Sequence, residues 1–124
     1  MQMRSINFDQ CELIKSSAVL SIAENCPNLL RLSLQWCLQV EDEAVEQVIL
    51  KCRKLKKLDC TGMKKLRDCL LKPLIAEGQG VPTALRSLKI LSFHRCDYIS
   101  NQVLEACYSK FGMCIHDFYN ELIE

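Results

Sequence analysis

The chain has 124 residues, 49% of them apolar and 25% charged, with a formal net charge of +1. This length fits one domain with a buried core, and the near-neutral balance supplies no global field toward nucleic acid or membrane. No apolar run approaches ~18 residues and no hydrophobic leader opens the chain, so neither a membrane span nor a signal peptide is expected.

Residues 1–26 make a first unit. Its strand is expected over Met3–Phe8, with Ile6 and Phe8 on one side. Cys11 and Ile14 turn the chain inward, and Ser16–Glu24 reads as a short helix with Val19, Ile22 and Ala23 on its inner face. Residues 27–52 repeat this plan in its cleanest form. Pro27 and Asn28 punctuate the turn, the strand is Leu30–Gln35, and Val45, Val48 and Ile49 give the helix its apolar face.

Residues 53–84 form an irregular third unit. Its strand is Lys56–Cys60, but Pro73 falls inside the expected helix, where proline lacks an N–H and clashes with the preceding turn. The spacing predicts a late helix start with Pro73 near its first position, or a kink, and a helix end at Glu77. Residues 78–84 read as an inserted loop. Residues 85–111 resume the plan with a strand at Lys89–His94 and a helix from about Asn101 to Lys110. Residues 112–124 are degenerate and read as a terminal cap.

The units align at a shift of 26 residues, with seven extra in the third. Leu29, Leu32, Leu34 and Cys37 correspond to Met3, Ile6, Phe8 and Cys11 behind them. They correspond to Leu55, Leu58, Cys60 and Met63 ahead, and then to Leu88, Leu91, Phe93 and Cys96. Ser16, Asp42, Asp68 and Asn101 also align, and all four are residue types that cap helix N-termini. Nine cysteines are present, with no C-x-x-C pair. Several occupy apolar repeat positions, so they are expected as reduced packing thiols in an intracellular protein, with no metal and no cofactor.

The run Cys26-Pro-Asn-Leu-x-x-Leu-x-Leu-x-x-Cys37, followed by a short helix, resembles the cysteine-containing leucine-rich repeat. That family occurs in F-box substrate receptors of cullin–RING ubiquitin ligases, in relatives of the antagonist of mitotic exit, and in mitochondrial ATP synthase coupling factor B. The resemblance covers residues 3 to 111 and implies an α/β solenoid, with parallel strands on a concave face and short helices on a convex one. It also implies a non-catalytic protein-binding module of adaptor or substrate-recognition type, cytoplasmic or nuclear. The alternative is a structural or assembly subunit of a larger complex, with a mitochondrial location. No F-box precedes the first repeat, so ligase docking by this chain is not expected.

In such a unit the residues between the core leucines turn to solvent. They form four columns: Ser5, Arg31, Lys57, Ile90; Asn7, Ser33, Asp59, Ser92; Asp9, Gln35, Thr61, His94; and Gln10, Trp36, Gly62, Arg95. The expected protein-binding surface takes Arg31, Ser33, Gln35, Trp36, Lys57, Asp59, Thr61, Ile90, Ser92, His94 and Arg95 from these columns, because Trp and Arg are common interface anchors. Trp36 has a second reading, packing over Gly62, which carries no side chain to block it. Nine basic residues lie between Lys51 and Lys72. They are either a solvated face or a site for an acidic protein partner; no aromatic platform for nucleic acid is interleaved. The chain carries no H-E-x-x-H, G-x-S-x-G or P-loop motif, and no enzymatic activity is expected. The exposed end at Met3–Phe8 offers an edge for end-to-end association.

Overall fold

Side-chain alternation sends Ile6, Leu32, Leu58 and Leu91 to one side of their strands and their chain neighbours to the other. The computed structural model describes residues 4–75 and 87–111, and within them four strands alternate with four helices in an α/β fold. The elements are β1 (Ser5–Asn7), α1 (Ser16–Asn25), β2 (Arg31–Ser33), α2 (Asp42–Lys51), β3 (Lys57–Asp59), α3 (Asp68–Ile75), β4 (Ile90–Ser92) and α4 (Asn101–Phe111). The strands form one parallel sheet in the order β1-β2-β3-β4. Each has three residues and is one or two residues shorter at either end than the sequence pattern predicts.

The sheet register reproduces the repeat. Ser5 pairs with Arg31, Arg31 with Lys57, and Lys57 with Ile90, and the flanking residues follow in step. The inserted loop at 78–84 and the cap at 112–124 lie outside the described residues. One apolar core runs through all four units, holding Leu32, Leu34, Leu58, Phe93, Val45 and Val48 with little or no exposure. Successive helices pack against one another, α1 on α2, α2 on α3 and α3 on α4.

The repeat cysteines do more than fill volume. Cys37 Sγ donates to the Phe8 carbonyl at 3.0 Å, and Cys96 Sγ donates to the Cys60 carbonyl at 2.9 Å. The two bonds are equivalent across units, since each reaches back to the last core position of the preceding strand segment. A third thiol bond joins Cys52 Sγ to the Cys26 carbonyl at 3.5 Å. Burial pushes the Cys52 thiol up to about 11 and the Cys96 thiol up to about 12, and it raises Cys60 and Cys37 as well.

Two sequence expectations are corrected here. Ser16, Asp42 and Asp68 do not cap their own helices; each is the first helical residue. Their side chains instead accept a backbone N–H one unit ahead, just before the next helix. Ser16 Oγ accepts from Glu41 N at 2.9 Å, Asp42 Oδ1 from Arg67 N at 2.9 Å, and Asp68 Oδ1 from Ser100 N at 2.7 Å. The helix-entry donors left orphaned by helix geometry are thus satisfied across the stack. The fourth member, Asn101, has a buried Oδ1 with no partner among the described residues.

The second correction concerns Pro73. α3 starts at Asp68 and carries Pro73 within it, so of the two alternatives the late start is overturned. Leu70 and Leu71 lie in the core and Asp68 is held to Ser100, so tertiary packing overrides the local cost of proline.

Candidate protein-binding surface

The face of the sheet away from the helices carries a ladder of side-chain hydrogen bonds. Asn7 Oδ1 accepts from Asp9 N at 2.8 Å, and Asp9 Oδ1 accepts from Ser33 Oγ and from Gln35 N. Gln35 Nε2 then donates to Asp59 Oδ2 at 2.6 Å. Asp59 Oδ1 accepts from Thr61 N at 3.0 Å and Thr61 Oγ1 at 2.7 Å. Thr61 Oγ1 meets Ser92 Oγ at 3.2 Å. The ladder crosses all four units, and it satisfies the polar groups that a flat sheet face would leave to water.

This ladder changes the status of two predicted surface residues. Asp59 and Ser92 are 8% and 6% exposed and belong to the interior of the network, not to the free surface. Their burial follows from neighbours that alternation alone does not reveal, since Gln35 and Thr61 lean over them. Ser33, Gln35, Thr61 and His94 are half-buried, and Ile90 likewise. Arg31 and Lys57 are exposed, opposite one another on adjacent strands. Like charges so placed repel. Neither has an ion pair or side-chain hydrogen bond among the described residues. They flank a shallow cavity of about 280 Å³ whose floor includes Ser33, Gln35 and Asp59. A second cavity of about 380 Å³ continues over Thr61, Ile90, Ser92 and His94.

The fourth column turns the chain out of each strand. Gln10, Trp36, Gly62 and Arg95 all take positive φ, at 61, 61, 73 and 63°. Their amides step along the stack: Gln10 N donates to Gln35 O at 2.7 Å, Trp36 N to Thr61 O at 2.8 Å, and Gly62 N to His94 O at 2.8 Å. The Trp36 ring lies on Gly62, and Lys64 Nζ sits 5.1 Å from the ring centroid. Lys64 is held there by Asp97 Oδ2 at 2.8 Å and the Arg95 carbonyl at 2.9 Å. Trp36 is therefore half-buried by its own chain. Its remaining surface borders a cavity shared with Gln10, Glu12 and Leu38. Leu13, 89% exposed, and Tyr98, 66% exposed, stand on the same strand-exit side; the repeat pattern does not single them out.

Among the described residues no group of His, Cys, Asp and Glu has the geometry to hold a metal ion, and no helix is long and apolar enough to cross a membrane. No protein-family model matches the chain, and no curated protein matches it.

Proposed function

We propose that the chain is a cysteine-containing leucine-rich-repeat solenoid that binds another protein on its open strand face and has no catalytic role. The observation that carries this reading is the in-register stack of strands. It sets Arg31, Lys57 and Ile90 side by side on a lattice fixed by backbone pairing and by the polar ladder beneath. Side chains held this way lose little conformational freedom on binding. Within this reading the array acts as an adaptor or substrate-recognition surface, of the kind found in ubiquitin-ligase receptors with similar repeats.

One observation favours a second reading, a subunit of a larger assembly. Asn101 Oδ1 stands where three earlier units accept an amide from the next turn of the stack, and among the described residues it lacks that donor. In that reading, a further unit stacked on β4 and α4 from a neighbouring chain supplies the amide.

Affinity capture with two paired substitutions tests the first reading. Arg31→Glu with Trp36→Ala is expected to weaken binding of the captured partner about tenfold, which is about 1.4 kcal/mol. Glu43→Lys with Glu46→Lys on α2 is expected to leave it nearly unchanged. Loss confined to the α2 pair overturns the open-face reading.

A further inference from the structure

The basic run between Lys51 and Lys72 is divided by the fold. Lys51 pairs with Glu24, Lys64 with Asp97 and Lys65 with Glu41. Arg53, Lys54, Lys56 and Lys57 go instead to the edge where the strands begin. Because the strands are parallel, that edge also gathers Arg4, Arg31 and Lys89 from the other units. All seven are exposed, and among the described residues none has an ion pair or a side-chain hydrogen bond. Segments 26–32, 52–58 and 87–91 contain no Asp or Glu.

The strand-exit edge is different. There Asp9, Glu12, Glu41, Asp42 and Asp97 are interspersed with the basic residues. Among the described residues, with Glu24 paired to Lys51, charge is therefore polarised along the strands. Helix dipoles do not account for the basic edge: their pull fades within the last turn, and Arg31 and Lys57 lie on strands.

We propose that the strand-entry edge docks an acidic, extended segment of the partner protein. This rests on the protein-binding reading above and names the chemistry of what is bound. Four strands at about 4.8 Å spacing make an edge roughly 15 Å wide, and an extended chain at ~3.3 Å per residue crosses it in four or five residues. Arg31 and Lys57, directly opposite on neighbouring strands, then share one run of carboxylates instead of repelling one another. A single-stranded nucleic acid fits less well, because its sequence-tolerant grip needs aromatic stacking, and Trp36 and Tyr98 lie at the other edge.

The test measures fluorescence anisotropy of a labelled oligoglutamate peptide about ten residues long against the full chain, with a Gly/Ser peptide and a short DNA duplex as comparisons. Oligoglutamate is expected to bind, more weakly as salt rises. Arg31→Glu with Lys57→Glu is expected to reduce that binding at least about tenfold. Lys65→Glu with Arg67→Glu on the other edge is expected to reduce it less than about twofold. Thermal melts check that each variant folds; if the first pair does not, Arg53→Glu with Lys54→Glu tests the same edge. Absent oligoglutamate binding, equal losses in the two pairs, or tighter binding of the duplex each overturns the proposal. Capture of a partner through the open face with no oligoglutamate binding overturns the acidic class alone. Failure of both removes the protein-binding reading as well.

Discussion

The ring of Trp36 occupies the space in which a side chain at Gly62 would stand. A Cβ built on Gly62 falls 2.3 Å from Trp36 Cδ2 and 2.4 Å from Cε3. Positive φ alone does not demand glycine here, because Gln10, Trp36 and Arg95 adopt it in the equivalent places. What demands glycine is the neighbouring ring. Gly62→Ala is expected to cost about 1–3 kcal/mol from overpacking, beyond any backbone strain. In a Trp36→Ala background most of that cost should vanish, giving a coupling of about 1–3 kcal/mol in a double-mutant cycle. Trp36 is the only Trp, so its fluorescence reports the displaced ring directly. An unchanged emission spectrum with additive energies would contradict the contact.

The cross-unit caps give an internally controlled series. Asp42→Ala and Asp68→Ala each remove an acceptor from an amide at the next helix entry, and each is expected to cost about 0.5–2 kcal/mol. Asn101→Ala removes the equivalent side chain where Oδ1 has no partner among the described residues, and is expected to cost less than about 0.5 kcal/mol. Denaturant melts of the three variants settle the order. A cost for Asn101→Ala equal to that for Asp68→Ala would mean that its carbonyl oxygen has found a donor.

The thiols set an alkaline limit on stability. Cys52 and Cys96 are raised in the fold, to about 11 and about 12, so the unfolded chain releases their protons first. Their contribution is fully present below the unfolded value of about 8.5 and is lost as pH rises toward the folded values. Each thiol then lowers stability by about 1.4 kcal/mol per pH unit across that window. Urea melts at a series of pH values should show this decline above about pH 9, and Cys96→Ala should flatten the slope while lowering the stability at neutral pH. An identical slope in Cys96→Ala would contradict the assignment.

Leu32 is 1% exposed at the centre of the core. Leu32→Ala is expected to cost about 2–5 kcal/mol, enough to unfold a small domain. A loss under about 0.5 kcal/mol would place Leu32 on the surface and break the strand register.

The periodic part of the fold was legible because each core position recurs in every unit, and the 26-residue shift alone pairs Arg31 with Lys57. Helix starts were legible from Ser16, Asp42, Asp68 and Asn101, but the direction of their bonds was not. A capping side chain looks the same in sequence whether it serves its own helix or the next one. Asp59 and Ser92 were misplaced for a similar reason: alternation gives the face of the sheet, while burial depends on which neighbouring side chains fold over it. The basic edge was hidden most completely. Arg4, Arg31 and Lys89 lie far from the Lys51–Lys72 run in sequence and meet it only because parallel strands all begin on one side.

The most direct test of the open-face account is site-specific photo-cross-linking in the presence of the captured partner. A photoreactive residue is placed singly at Ser5, Lys57 or Ile90 on the strands, or at Glu43 or Glu46 on α2. The account predicts covalent partner adducts from the strand positions and none from the helix positions. Adducts formed only from Glu43 and Glu46 would contradict it.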